Sequence, residues 1–141
     1  MASQQLQRTL PAGSMGRFLR TAGPAAVDGA PAIDMAHLSR QSLGDHKLEL
    51  ELLHLFDIQA GRIASDLGMP DPKSDVRAMR LELAHTLKGS ARAVGATRVG
   101  AACDALESLL RAHAPQTSVD VALREVRLAV HAAREFIGAA R

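Results

Sequence analysis

From Ile33 onward the apolar residues recur at three- and four-residue steps, the spacing that lays them along one side of an α-helix. Asp34 stands as the cap of a short first helix that turns Met35, Leu38 and Leu43 inward, and Gly44-Asp45 reads as a stop followed by a new cap. The spacing predicts a second helix from Asp45 to Leu67, with Leu48, Leu52, Leu55, Phe56, Ile63 and Leu67 on its buried stripe and Gly68, Pro70 and Pro72 closing it. A third spans Lys73 to Val94 around Val76, Met79, Leu83, Leu87 and Val94, with Ser90 among them, and Gly95 takes the usual terminal position. The fourth begins at Thr97, buries Val99, Cys103, Leu106 and Leu110, and fades at His113-Ala114-Pro115. The fifth, Ser118 to Ala139, carries Val119, Leu123, Val126, Val130, Ala133 and Ile137 at alternating four- and three-residue steps, a seam of coiled-coil type. Long helices on short connections imply an all-α fold, an antiparallel four-helix bundle with a short additional N-terminal helix, over residues 33–141. Residues 1–32, rich in Ala, Gly and Pro, read as a flexible extension; a short amphipathic piece at Met15 to Leu19 is the candidate there for folding on a partner.

Composition agrees with one helical domain. The chain has 141 residues, its hydrophobic class is mostly Ala and Leu, and Trp and Tyr are missing. No stretch is long and apolar enough for a membrane span, and the first residues lack the apolar core of a secretion signal, so the expectation is a cytoplasmic protein with no membrane partner. One cysteine, Cys103, allows neither an intrachain disulfide nor a multi-cysteine metal site. The net charge of +2 sits in the extension, where Arg8, Arg17 and Arg20 face Asp28 alone; the remainder is balanced. Without a basic excess or stacking aromatics on the body, no nucleic-acid partner is expected. His37, His46, His54, His113 and His131 show no metal-ligand spacing.

The segment LELAHTLKGSARAV, Leu81 to Val94, carries the chemistry. With Leu83 at the centre of the buried stripe and ~100° per residue, His85 falls at about 200°, away from the core. Leu81, Lys88, Arg92 and Ala78 share that outward face. Gly89 is the odd choice, since glycine inside a helix costs about 1 kcal/mol relative to Ala. It suits a place where something must come close to the helix beside the imidazole. An exposed imidazole with neighbouring cations fits phosphoryl transfer: the ring nitrogen attacks phosphorus, and Lys88, with Arg92 one turn further, offsets the charge on the transferring oxygens. No glycine-rich phosphate loop is present, so the phosphoryl group must come from and go to another protein.

His85-Thr86-Leu87-Lys88-Gly89-Ser90, followed by Gly95-Ala96, resembles the H-x-L-K-G-S…G-A signature of histidine-containing phosphotransfer (HPt) domains of bacterial phosphorelays. Asp34 to Leu38, Gly44-Asp45, Leu52-Leu53…Phe56 and Leu106-Glu107 extend the likeness over Ile33 to Ile137. The resemblance implies a four-helix bundle that accepts a phosphoryl group on His85 from a receiver-domain aspartate and passes it to another receiver. It makes Lys88 the phosphate-stabilising cation and Gly89 the point of access, and Arg92 is a further candidate for phosphate contact. The apolar docking patch around the histidine would recruit Leu81, Ala78 and Ala84. The implied partners are receiver domains of a hybrid histidine kinase and of a response regulator, with the protein a monomer. No cofactor or metal is expected on the chain, because Mg²⁺ belongs to the receiver, and no enzymatic turnover of its own. Two alternatives are a regulatory module that docks receivers or kinases without carrying phosphate, and a dimerisation domain of histidine-kinase type. Four long helices in one chain, with no room for an ATP-binding domain, weigh against the second.

Overall fold

The computed structural model describes residues 26–27 and 30–140, so the Met15–Leu19 segment and most of the extension lie outside the described residues. A two-residue ribbon comes first, β1 (Ala26–Val27) antiparallel to β2 (Ala30–Pro31). Packing begins at Ala32 and Ile33, both buried, one residue before the expected boundary. Five helices follow: α1 (Met35–Gln41), α2 (His46–Gly68), α3 (Val76–Val94), α4 (Thr97–Arg111) and α5 (Gln116–Ala140).

Three aspartates set the helix starts. Asp34, Asp45 and Asp75 each accept a backbone N–H from the first turn at 3.1 Å, satisfying a donor that has no partner within the helix. The capping residue of α3 is Asp75, and the segment before it closes as a turn in which Asp71 accepts the Lys73 N–H at 2.9 Å and the Ser74 hydroxyl at 2.8 Å. The helix therefore starts at Val76 rather than Lys73. Gly95 ends it with φ of 84°, and its carbonyl accepts the Asp34 N–H at 2.8 Å, which fastens the chain entry to the α3–α4 turn. Pro115 accepts from Ser118 and Val119 and starts α5 at Gln116, two residues earlier than expected.

The long helices alternate in direction and close a ring in which α3 packs on α2 and α4, and α5 on α4 and α2. The four-helix bundle with a short helix across one end is thus the observed architecture. All six seam positions of α5 are buried. Two stripes differ from expectation. On α2 the buried apolar set is Leu53, Phe56, Ala60, Ile63 and Leu67, whereas Leu48 and Leu55 face outward and Leu52 is half-buried. On α1 only Leu38 is buried; Met35 is exposed, and Leu43 stands in the tight turn with φ of 55° and its side chain in solvent. No described helix is long and apolar enough to cross a membrane.

Candidate functional site

The buried face of α3 consists of Ala84, Leu87, Ala91 and Val94, while Leu83, Met79 and Ser90 are only partly covered. The true centre of the stripe is rotated by about 60° from Leu83, at 100° per residue. Alanine decides this phase, because α3 and α4 approach closely: Gly100 of α4 is buried, and a Cβ there would lie 3.9 Å from the Ala91 methyl and 3.6 Å from the Arg92 stem. The rotation has three consequences. His85 stays on the outer face, its side chain 71% exposed. Ala84, expected on the docking surface, is fully buried in the core instead. Lys88, expected to point outward into solvent, moves to the α3–α4 seam, where its side chain is 16% exposed.

What receives Lys88 is Glu107 of α4, a carboxylate buried at the seam. The ammonium lies 2.7 Å from Glu107 Oε1 and 3.3 Å from Asp104 Oδ1. The Arg111 guanidinium donates to Glu107 Oε2 at 3.0 Å, and His85 Nδ1 faces the same oxygen at 3.5 Å. Three basic side chains thus converge on one carboxylate. Burial pushes the Glu107 carboxyl up, but the hydrogen bonds from Lys88 and Arg111, the Lys88 charge and the nearby imidazole outweigh it and hold the group below its ordinary range. Conversely the hydrogen bond to Glu107 holds the Lys88 ammonium above its ordinary range, against the opposing effect of burial and helped by Asp104. Cys103, one turn before Glu107, is buried; desolvation, reinforced by the Glu107 charge, pushes its thiol up to about 12.

Gly89 is exposed, and a Cβ built on it would meet nothing within 4 Å. Helix–helix packing therefore does not require glycine there, and the space beside the imidazole opens outward. Arg92 is exposed, its stem resting over Gly100, and makes no ion pair among the described residues. Leu81 is half-buried against the core and Ala78 is exposed. An apolar groove of about 530 Å³ lies between α2 and α3, lined by Leu52, Leu55, Phe56 and Ile58 on one side and Ser90 and Ala93 on the other. Leu55 is 61% exposed in it. Leu55 thus departs from the buried stripe that periodicity expects of it, because α2 carries more leucines than one buried stripe can take. Glu107 entered only as part of a matched pair of residues, and nothing in its own helix revealed its partners. Among the described residues, no group of three His, Cys, Asp or Glu is placed to hold a metal ion.

A helical bundle that presents an exposed imidazole backed by a buried carboxylate and flanked by cations and a glycine has the form of a histidine carrier domain. The family model of the Hpt domain matches residues 34–136, most of the chain. The protein belongs to the Hpt family, whose role is histidine phosphotransfer within phosphorelays. In fold it is similar to a rice chain described as a histidine-containing phosphotransfer protein, with a TM-score of 0.65 and 20% sequence identity, covering 99% of this chain and 93% of that one. No curated protein matches the chain in sequence.

Proposed function

We propose that His85 is the phosphoacceptor of a phosphorelay carrier that takes a phosphoryl group from the aspartate of one receiver domain and passes it to another. The observation that carries this reading is the exposed ring with its Nδ1 turned toward the buried Glu107 carboxylate. The carboxylate favours the proton on Nδ1, which leaves the Nε2 lone pair free and pointed outward. In the transfer, Nε2 attacks phosphorus in line, the Nε2–P bond forms, and the acyl-phosphate O–P bond breaks with the receiver's carboxylate leaving. The Nδ1 proton stays in place, next to Glu107, as positive charge develops on the ring. The same bonds run backward when a second receiver accepts the group.

Lys88 supplies the cation for the phosphoryl oxygens once it leaves Glu107, and Arg92 is a further cation on the same outer face. Gly89 leaves room for the approaching receiver, Leu81 and Ala78 lie one and two turns before His85 on α3, and the α2–α3 groove offers the apolar docking surface. The donor in this reading is the receiver of a hybrid histidine kinase and the acceptor that of a response regulator. Mg²⁺ is carried by the receiver, and the protein acts as a monomeric carrier without its own turnover. Incubation with a ³²P-labelled phosphorylated receiver tests the assignment. The label should move to the wild type, be acid-labile and base-stable, and be lost in His85→Gln. Undiminished label in that variant overturns the assignment, and receiver binding without label transfer would make the protein a docking module.

A further inference from the structure

The geometry points to Arg111 as a positioning residue of the phosphoryl site: it keeps the buried Glu107 carboxylate neutralised so that Lys88 is free to turn to the phosphoryl group on His85. This rests on His85 being the phosphoacceptor.

Lys88 has two anionic partners of different kind. Asp104 has a side chain 57% exposed, so water replaces the ammonium there when Lys88 departs. Glu107 is enclosed, and water cannot do the same for it. A buried carboxylate left without its counter-charge is strongly disfavoured, so Lys88 can leave only if another cation stays. Arg111 is that cation. It stands four residues after Glu107 on α4, one turn further along the same face, and holds Oε2, the oxygen that Lys88 does not use. Its side chain is largely in solvent, so its guanidinium costs little to hold there. The division of Glu107 is thus one oxygen for the fixed cation and the imidazole, and one for the cation that moves. Lys88 suits the second part, because its ammonium sits on a flexible four-carbon stem and lies one turn from His85 on α3.

Without Arg111, Lys88 would, among the described residues, be the one Lys or Arg left on Glu107 beside the His85 imidazole and would be retained there, and the transferring oxygens would lose their cation. Phosphoramidate separates this from any effect on receiver docking. With that donor the P–N bond of phosphoramidate breaks, the Nε2–P bond forms and ammonia leaves. The full chain would be followed by ³¹P NMR, with folding checked by circular dichroism. Arg111→Met should phosphorylate about tenfold more slowly than wild type, the scale of one charge-assisted contact. Arg111→Lys should recover most of the rate. In a Lys88→Met background, Arg111→Met should change nothing further, since the cation it releases is gone. A wild-type rate in Arg111→Met overturns the proposal, and so does the same tenfold loss in the Lys88→Met background, because Arg111 would then act without Lys88. Failure of the wild type itself to form phosphohistidine strikes the proposed phosphoacceptor instead.

Discussion

The lesson at the residue scale lies in Glu107. Helical periodicity placed Lys88 and His85 on α3, but an ion pair across two helices has no period, so its acidic partner was invisible until both helices were set against each other. The pairing has a pH signature. In the folded protein Glu107 titrates below its ordinary 4.5, so its contribution to stability is complete above that value and is lost as pH falls through the lower folded value. Lys88 titrates above 10.5, so its contribution is complete below 10.5 and is lost as pH rises further. Thermal melts of wild type and Glu107→Gln should therefore differ most near neutral pH, with the gap closing once pH drops below about 4.5. A gap of equal size at acid and neutral pH would remove the ion pairs as its cause.

At the scale of the element, α3 shows how far a pattern reaches. Its C-terminal end followed from local chemistry, with Gly95 closing it as expected, yet its start at Val76 rather than Lys73 and its rotation about its own axis did not. Ala84 and Ala91 are apolar enough to be core and small enough to be overlooked, and only the close approach of α4 gives them that place. His85 faces outward in either phase because it lies far from both the expected and the observed buried centre, whereas Lys88 stands at the edge, where a modest rotation changes its neighbours. The glycine within α3 and the glycine that caps it predict opposite outcomes. Gly89→Ala faces open space and should stabilise the fold by about 0.5–1 kcal/mol in urea denaturation, as helix propensity dictates, whereas Gly89→Leu should slow label transfer from a receiver by filling the approach to the ring. Gly95→Ala should destabilise by about 1–3 kcal/mol, combining a left-handed backbone with a Cβ only 2.8 Å from the Asp34 carbonyl oxygen.

Over the whole molecule, the bundle separates stability from chemistry. The His85–Glu107 site occupies the α3–α4 edge, and diagonally across the ring Arg134 of α5 bonds Asp57 of α2 at 2.7 Å. That guanidinium lies flat over Gly61, where any side chain would collide with it. Gly61→Val should cost about 1–3 kcal/mol of stability while leaving phosphotransfer at 25 °C at the wild-type rate. A parallel fall in transfer would mean that the two edges are coupled. The ring itself was legible from the periodic segments and their short connections, and α5 most completely, because its seam alternates without interruption. The α2–α3 groove was not, since an exposed leucine and a buried one look alike until the partner helix takes its side. A practical consequence follows from Cys103. It is the only thiol in the chain, it is kept protonated, and it sits within the electric field of Glu107 and Lys88. Its S–H stretch, in an otherwise empty window of the infrared spectrum, is thus a built-in voltmeter that should change frequency when the ammonium departs, with no dye or isotope added.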